Sequence, residues 1–248
     1  MSKVDDYRQQ LRSLSDWDAY LRQESGLPGP RGNLDLAHAA ALEGTAAQFE
    51  RWAALDAAQA PTNDPGEFLA FCGVLGMGRL VADGQRGYLP AVRAHASDPR
   101  WRLREAVAMG MQLWGVVDMP ALLAEMARWA EGNPLEQRAA AAALCEPALL
   151  GDPAHAREVL HILDRITASI VRQAERKSED FKALRKGMGY CWSVAAAALP
   201  EDGLPLLEKW LAEPDRDVRW IMTENLKKKR LERAAAAWVQ RWRAALGK

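Results

Sequence analysis

The chain has 248 residues, 49% apolar and 27% charged, and its 33 basic and 33 acidic side chains cancel. Such a composition belongs to a folded chain and excludes disorder as the main state. The first twenty residues lack the basic-then-apolar pattern of a secretion signal, and no apolar run approaches the roughly 18 residues that span a bilayer, so a cytoplasmic protein without membrane contact is expected.

In chain order, helices are predicted near 4–12, 15–24, 34–43, 46–58, 65–82, 86–95, 99–113, 120–130, 134–144, 153–176, 179–199, 203–212, 216–228 and 232–246. No alternating run of β-branched residues argues for a strand. The Gly/Pro stretch "SGLPGPRGN" at 25–33 breaks two of the early helices. Asp64-Pro65, Asp98-Pro99 and Asn133-Pro134 recur at intervals of 34 and 35 residues, each a capping side chain followed by a proline whose missing N–H costs nothing at the first helical position. "VLGMG" at 74–78 overlays "AMGMQ" at 108–112 on the same offset, and Arg104/Arg138 and Arg185/Arg219 are two pairs 34 apart. The gap of 47 between those pairs is one repeat plus an insertion of 13. A period of this length, divided into two helices, describes hairpins that bury their apolar faces only by stacking on neighbours.

Cys72, Cys145 and Cys191 are odd in number, far apart in sequence and set in apolar helical segments, which predicts buried thiols and neither a disulfide framework nor a Cys-x-x-Cys site. His38, His95, His155 and His161 have no ligand spacing, so no metal and no cofactor are expected. Charge is uneven along the chain: residues 1–150 carry 14 basic and 19 acidic side chains, residues 151–248 the reverse, 19 and 14. A polyanion would therefore prefer the C-terminal half.

The segments "DPRWRLREAVAMGMQL", "NPLEQRAAAAAL", "LRKGMGYCWSVAAAAL" and "PDRDVRWIMTENL" resemble the second helix of HEAT-like repeats, where Asp or Asn precedes an apolar-Arg-x-x-Ala segment. The resemblance covers roughly residues 64–246. It implies an all-α fold, a right-handed α-solenoid of about six helical hairpins. Residues 1–248 then form one domain, with 1–60 an atypical N-terminal cap, 61–248 the repeats and an insertion near 150–178. It also implies that Arg104, Arg138, Arg185 and Arg219 pair with acidic residues of neighbouring repeats, since an unpaired buried charge is strongly destabilising. In that family the second helices line a concave face that holds partners. The side chains left for that face are Trp101, Glu105, Lys186, Tyr190, Trp220, Glu224, Lys227 and Lys228.

Of the ten tryptophans, Trp52, Trp129, Trp210, Trp238 and Trp242 sit in apolar helical stripes and are expected in the core. Trp101 lies three residues before its repeat arginine and Trp220 one after, so they occupy different slots and at least one is a recognition candidate. "KKKR" at 227–230 is read as a solvated helix end with cations near its negative pole; the alternative is a phosphate-binding stripe that it forms with Arg172, Arg176, Lys177, Lys182, Arg185 and Lys186.

A second resemblance is narrower. HEAT-like alkylpurine DNA glycosylases flank a damaged nucleotide with a Trp and, four residues on, an Asp, with an Arg from the next repeat and a further Trp nearby. Trp101 and Glu105 have that spacing, Arg138 in "EQRAA" matches the Arg segment and Tyr190 ends "LRKGMGY", which matches the segment of the second Trp. Glu stands for Asp, Tyr for Trp, and Ser193 for a later basic residue. Glu105 is then the catalytic candidate, a carboxylate that stabilises positive charge on the sugar. Two functions follow. The first is a non-enzymatic scaffold that binds a macromolecular partner, protein before nucleic acid given zero net charge, through Trp101, Arg138, Lys186, Tyr190, Trp220, Lys227 and Lys228. The second is a glycosylase acting in DNA repair.

Overall fold

The computed structural model describes residues 2–246. Among them the protein is all-helical, with fifteen α-helices, two short 3-10 turns and no strand. It packs as two compact units, Met1–Val117 and Asp118–Lys248.

The first unit contains α1 (Lys3–Ser13), α2 (Asp18–Gln23), α3 (Leu34–Glu43), α4 (Ala46–Ala53), α5 (Pro65–Ala82), α6 (Leu89–His95) and α7 (Trp101–Val117). Helix α5 is its axis. It starts where the sequence predicts, with the Asp64 side chain accepting the Gly66 N–H at 2.7 Å and Pro65 in the first turn. Odd-numbered helices pack in series, α1 on α3, α3 on α5 and α5 on α7, while α4 covers α5 from the side. A Cβ added to Gly78 would lie 2.3 Å from the Gly110 Cα, so a glycine on each of α5 and α7 lets the two backbones touch.

This burial accounts for one departure from the sequence reading. Helix α5 is long and apolar enough to cross a membrane, but 89% of it is buried inside the protein. Its one acidic residue, Glu67, is fully buried. Arg102 Nη1 donates to Glu67 Oε2 at 3.0 Å, and Nη2 donates to the Gly29 carbonyl at 2.7 Å. The buried arginine of α7 is thus Arg102, while Arg104 turns back on the Asp98 and Pro99 carbonyls at 2.7 and 3.1 Å. Asp98 grips Arg100 through both carboxylate oxygens. Burial opposes its charge, but hydrogen bonds from His95 and Arg100 outweigh that and hold its carboxyl well below the usual range.

The second unit contains α8 (Met119–Trp129), α9 (Pro134–Leu144), α10 (Pro153–Arg172), α11 (Glu179–Ala198), α12 (Pro200–Leu211), α13 (Arg216–Leu226), α14 (Lys229–Ala234) and α15 (Ala236–Leu246). Two series run side by side: α9, α11, α13 and α15 pack each on the next, as do α8, α10 and α12. Asn133 caps α9 with a capping box to Glu136. Between α11 and α13 the fully buried Asn225 donates to the Met188 and Ile221 carbonyls, both at 2.8 Å, and accepts the Ser193 N–H at 2.7 Å. Every polar atom of that amide has a partner, as a buried amide requires. Arg176 meets Asp215 at 2.6 Å and Asp217 at 3.1 Å, and Arg185 meets Asp217 at 3.0 Å, which gives the expected arginine-to-acid link between successive helices. Arg219, expected in the same role, is exposed.

Several boundaries move. Helix α7 continues through Gly115 to Val117, because one interior glycine costs only about 1 kcal/mol and nothing before Asp118, the cap of α8, stops it. Helix α10 ends at Arg172, where Arg176 Nη2 bonds the Ile170 and Val171 carbonyls at 2.9 Å each. The predicted helix at 232–246 is two helices separated at Ala235. Trp52, Trp129 and Trp210 are buried as predicted, whereas Trp238 and Trp242 are half-buried and share Glu208 as hydrogen-bond acceptor. All three thiols are buried, as predicted. Burial is the main force pushing the Cys145 thiol upward.

Candidate functional site

Each unit has a concavity that gathers residues singled out from the sequence. In the first unit, Trp101 and Glu105 lie one turn apart on α7 and face a common cavity of about 340 Å³. Leu34, Phe68, Phe71 and Met109 supply its apolar walls, and Pro30, Arg31 and Gly32 close one side. Trp101 is 45% exposed and is therefore available at the opening. The Arg102 guanidinium sits 4.5 Å from the centre of the Trp101 ring. That guanidinium is engaged by Glu67, so it braces the indole while its charge is already matched. Glu105 is the one carboxylate on the lining. The cavity can hold a flat apolar group beside a carboxylate, an arrangement suited to a group that bears or develops positive charge.

In the second unit, Lys186, Tyr190, Trp220 and Lys228 line a single groove of about 600 Å³ together with Lys182, Arg185, Gly189 and Glu224. Two rows make it. Lys182, Lys186 and Tyr190 follow one another at four-residue steps along α11, and Trp220, Glu224 and Lys228 do so along α13 and just past its end. Gly189 forms the floor: a Cβ there would stand 3.2 Å from the Trp220 ring and 3.2 Å from the Glu224 Cβ. The Arg185 guanidinium stacks 4.0 Å from the centre of the Trp220 ring while its Nε faces Asp217. Arg230 donates to the Tyr190 hydroxyl at 2.6 Å, which fixes the phenol at the rim with 42% of the residue exposed.

A second concavity of about 370 Å³ shares Lys182, Arg185 and Trp220 with the groove and adds Arg176, Phe181, Arg216 and Asp217. Along the joined lining, six cations (Arg176, Lys182, Arg185, Lys186, Arg216, Lys228) face two carboxylates, Asp217 and Glu224. Asp217 is shared by Arg176, Arg185 and Arg216, and Glu224 is paired with Lys227. Lys186 and Lys228 enter no ion pair among the described residues, and the groove therefore has cations to spare for a ligand.

The remaining candidates stand apart. Lys227 is the C-cap of α13 and belongs to Glu224, and Lys228 opens α14, so the four cations of "KKKR" are divided by a helix break instead of forming one stripe. Arg138 is half-buried on α9 with its Cγ against Gly187 of α11, outside the lining of the groove. Sequence reasoning did not single out Phe68 and Phe71, core residues that also edge this cavity, and read the 25–33 stretch only as a helix break. It favours a structural role for Arg185 and names Lys182 and Arg185 as binding residues only in the alternative basic stripe, whereas both line the groove. No cluster of three His, Cys, Asp or Glu side chains that could hold a metal occurs among the described residues.

Compared with family models, with curated proteins and with solved structures, the chain matches none. A functional reading therefore rests on the geometry of these two concavities.

Proposed function

We propose that this chain is a non-enzymatic recognition module of the HEAT-like kind, a right-handed stack of helical hairpins that binds a macromolecular partner through the groove between α11 and α13. The stacking reading is supported by the serial packing of alternate helices in each unit and by the caps at Asp64 and Asn133; the third predicted start is shifted, since α7 begins at Trp101 and Asp98 holds Arg100 ahead of it. The observation that carries the binding reading is the convergence of Lys186, Tyr190, Trp220 and Lys228 on one groove. Aromatic and cationic side chains gathered in a concave site make a strong recognition surface, because the rings offer area at low entropic cost and the cations offer orientation. The joined concavities extend beyond what one small anion fills, which favours a polymer.

The test is site-specific photocrosslinking in cell extract. A photoreactive residue at position 186 should capture discrete protein or nucleic-acid species, and one at Lys3 in the first unit should not. Equal labelling from both positions would remove the groove as the binding face.

A second reading rests on the cavity of the first unit. Trp101 and Glu105 share one mostly apolar concavity, as the resemblance to alkylpurine DNA glycosylases implies. On that reading the aromatic walls hold a cationic alkylated base, and the Glu105 carboxylate stabilises positive charge on the sugar as the bond to the base breaks. DNA carrying 3- or 7-methylpurines should then acquire abasic sites, and Glu105→Gln should abolish their formation. No release by the wild-type protein would end this reading.

A further inference from the structure

Resting on the reading of the α11–α13 groove as a binding face, we propose that its ligand is single-stranded nucleic acid, with phosphates on the lysine row and bases against Tyr190 and the Trp220–Arg185 stack. The chain's zero net charge argues for a protein partner only if charge is evenly spread, and it is not. Six cations face two carboxylates along the lining, and both carboxylates are already matched by Arg176, Arg185, Arg216 and Lys227.

The arrangement of those cations suits a strand. Lys182 and Lys186 are one helical turn apart, about 5–6 Å between Cβ atoms, a distance that adjacent phosphates of an extended chain can bridge. Lys186 and Lys228 carry charge that no carboxylate of the described residues answers, so phosphates displace only counterions and water there.

The rings decide between polyanions. An acidic peptide needs ion pairing and gains little from flat surfaces set among the cations. Duplex DNA offers phosphates on a stiff frame with its bases already stacked. An unpaired base gains from both kinds of group, because it stacks on aromatic faces and on guanidinium planes. Tyr190 is held open at the rim by Arg230, and Arg185 lies flat on Trp220, so two platforms flank the lysines.

The experiment uses the full chain and a fluorescein-labelled 15-mer of oligothymidylate, read by fluorescence anisotropy between 50 and 200 mM salt, with a duplex of equal length and poly-glutamate as competitors. Phosphate contacts at Lys182, Lys186 and Lys228 predict a slope of log affinity against log salt of about −2 for a single strand. Lys186→Glu with Lys228→Glu should weaken binding at least about tenfold and flatten the slope, since two contacts become repulsive. Tyr190→Ala should weaken it about 5- to 100-fold and leave the slope unchanged, as loss of one stacked base does. Unchanged thermal unfolding establishes that each variant is folded.

Salt-independent binding, indifference to both variants, or tighter binding of duplex or poly-glutamate would overturn the proposal. If oligothymidylate does not bind while position 186 still captures a protein, the nucleic-acid assignment fails and the recognition groove stands. If position 186 captures nothing either, both fall.

Discussion

The two units solve the same packing problem with opposite chemistry. In the first, the central helix α5 is almost wholly enclosed, its single carboxylate is sealed against Arg102, and the mostly apolar concavity beside it has Glu105, Arg31 and the already paired Arg102 on its lining. In the second, the arginines that tie α11 to α13 keep contact with solvent, with 18% and 30% of the Arg176 and Arg185 side chains exposed, and the groove beside them is lined by cations. Buried pairing removes charge from the surface. Half-exposed pairing leaves it there, and a concavity built beside such pairs inherits a field. A chain with no net charge can thus carry one mostly apolar pocket and one groove rich in cations.

The contrast is open to attack at several points. Glu67→Ala should be the most costly, about 3–5 kcal/mol by chemical denaturation, because it strands the buried Arg102 charge. Asp217→Asn removes the acid shared by Arg176 and Arg185, yet both arginines stay hydrated and Asp215 still holds Arg176, so a loss of about 1–2 kcal/mol is expected. Equal losses in the two variants would erase the distinction between sealed and open pairing. Next in size, Gly78→Val should cost about 1–3 kcal/mol by forcing α5 away from α7 at Gly110. An unperturbed midpoint would show that the helices have slack there.

A smaller effect comes from pH. Hydrogen bonding to Arg12 is the main reason the Glu43 carboxyl falls from 4.5 to about 2. A depressed carboxyl contributes stability above its unfolded pKa and loses it as pH falls through the folded one, so the window is pH 4.5 down to 2. Because Arg12 is 60% exposed, about 1 kcal/mol is expected, visible as an acid-unfolding difference between wild type and Glu43→Gln that is gone at pH 2. Smallest of all, Trp101→Ala should change stability by less than about 0.5 kcal/mol, as an exposed residue should.

Features governed by short-range chemistry could be read before folding was known. The Asp64 and Asn133 caps and the shared face of Trp101 and Glu105 depend on spacing within one helix. Features set by helix rotation could not. Arg102 and Arg104 differ by two positions, about 200° around the axis, and only the docking of α7 on α5 decides which one is buried. The same holds for Arg230, which reaches Tyr190 across forty residues of sequence, and for Lys227, which a break at the end of α13 turns away from Lys228. Phe68 and Phe71 look like ordinary core from sequence because the wall they form is completed by a loop near residue 31, more than thirty positions upstream.

Gly189 offers a handle on shape that leaves charge alone. The missing methyl at that position is what separates the two helices' side chains from a flush fit, with 3.2 Å to Trp220 on one side and to Glu224 on the other. Alanine would act as a one-carbon plug that shallows the floor, adds no charge and presses the Trp220 ring and Glu224 back by a few tenths of an ångström. Whatever docks by insertion would be shut out, and whatever merely hovers over the positive potential would not notice.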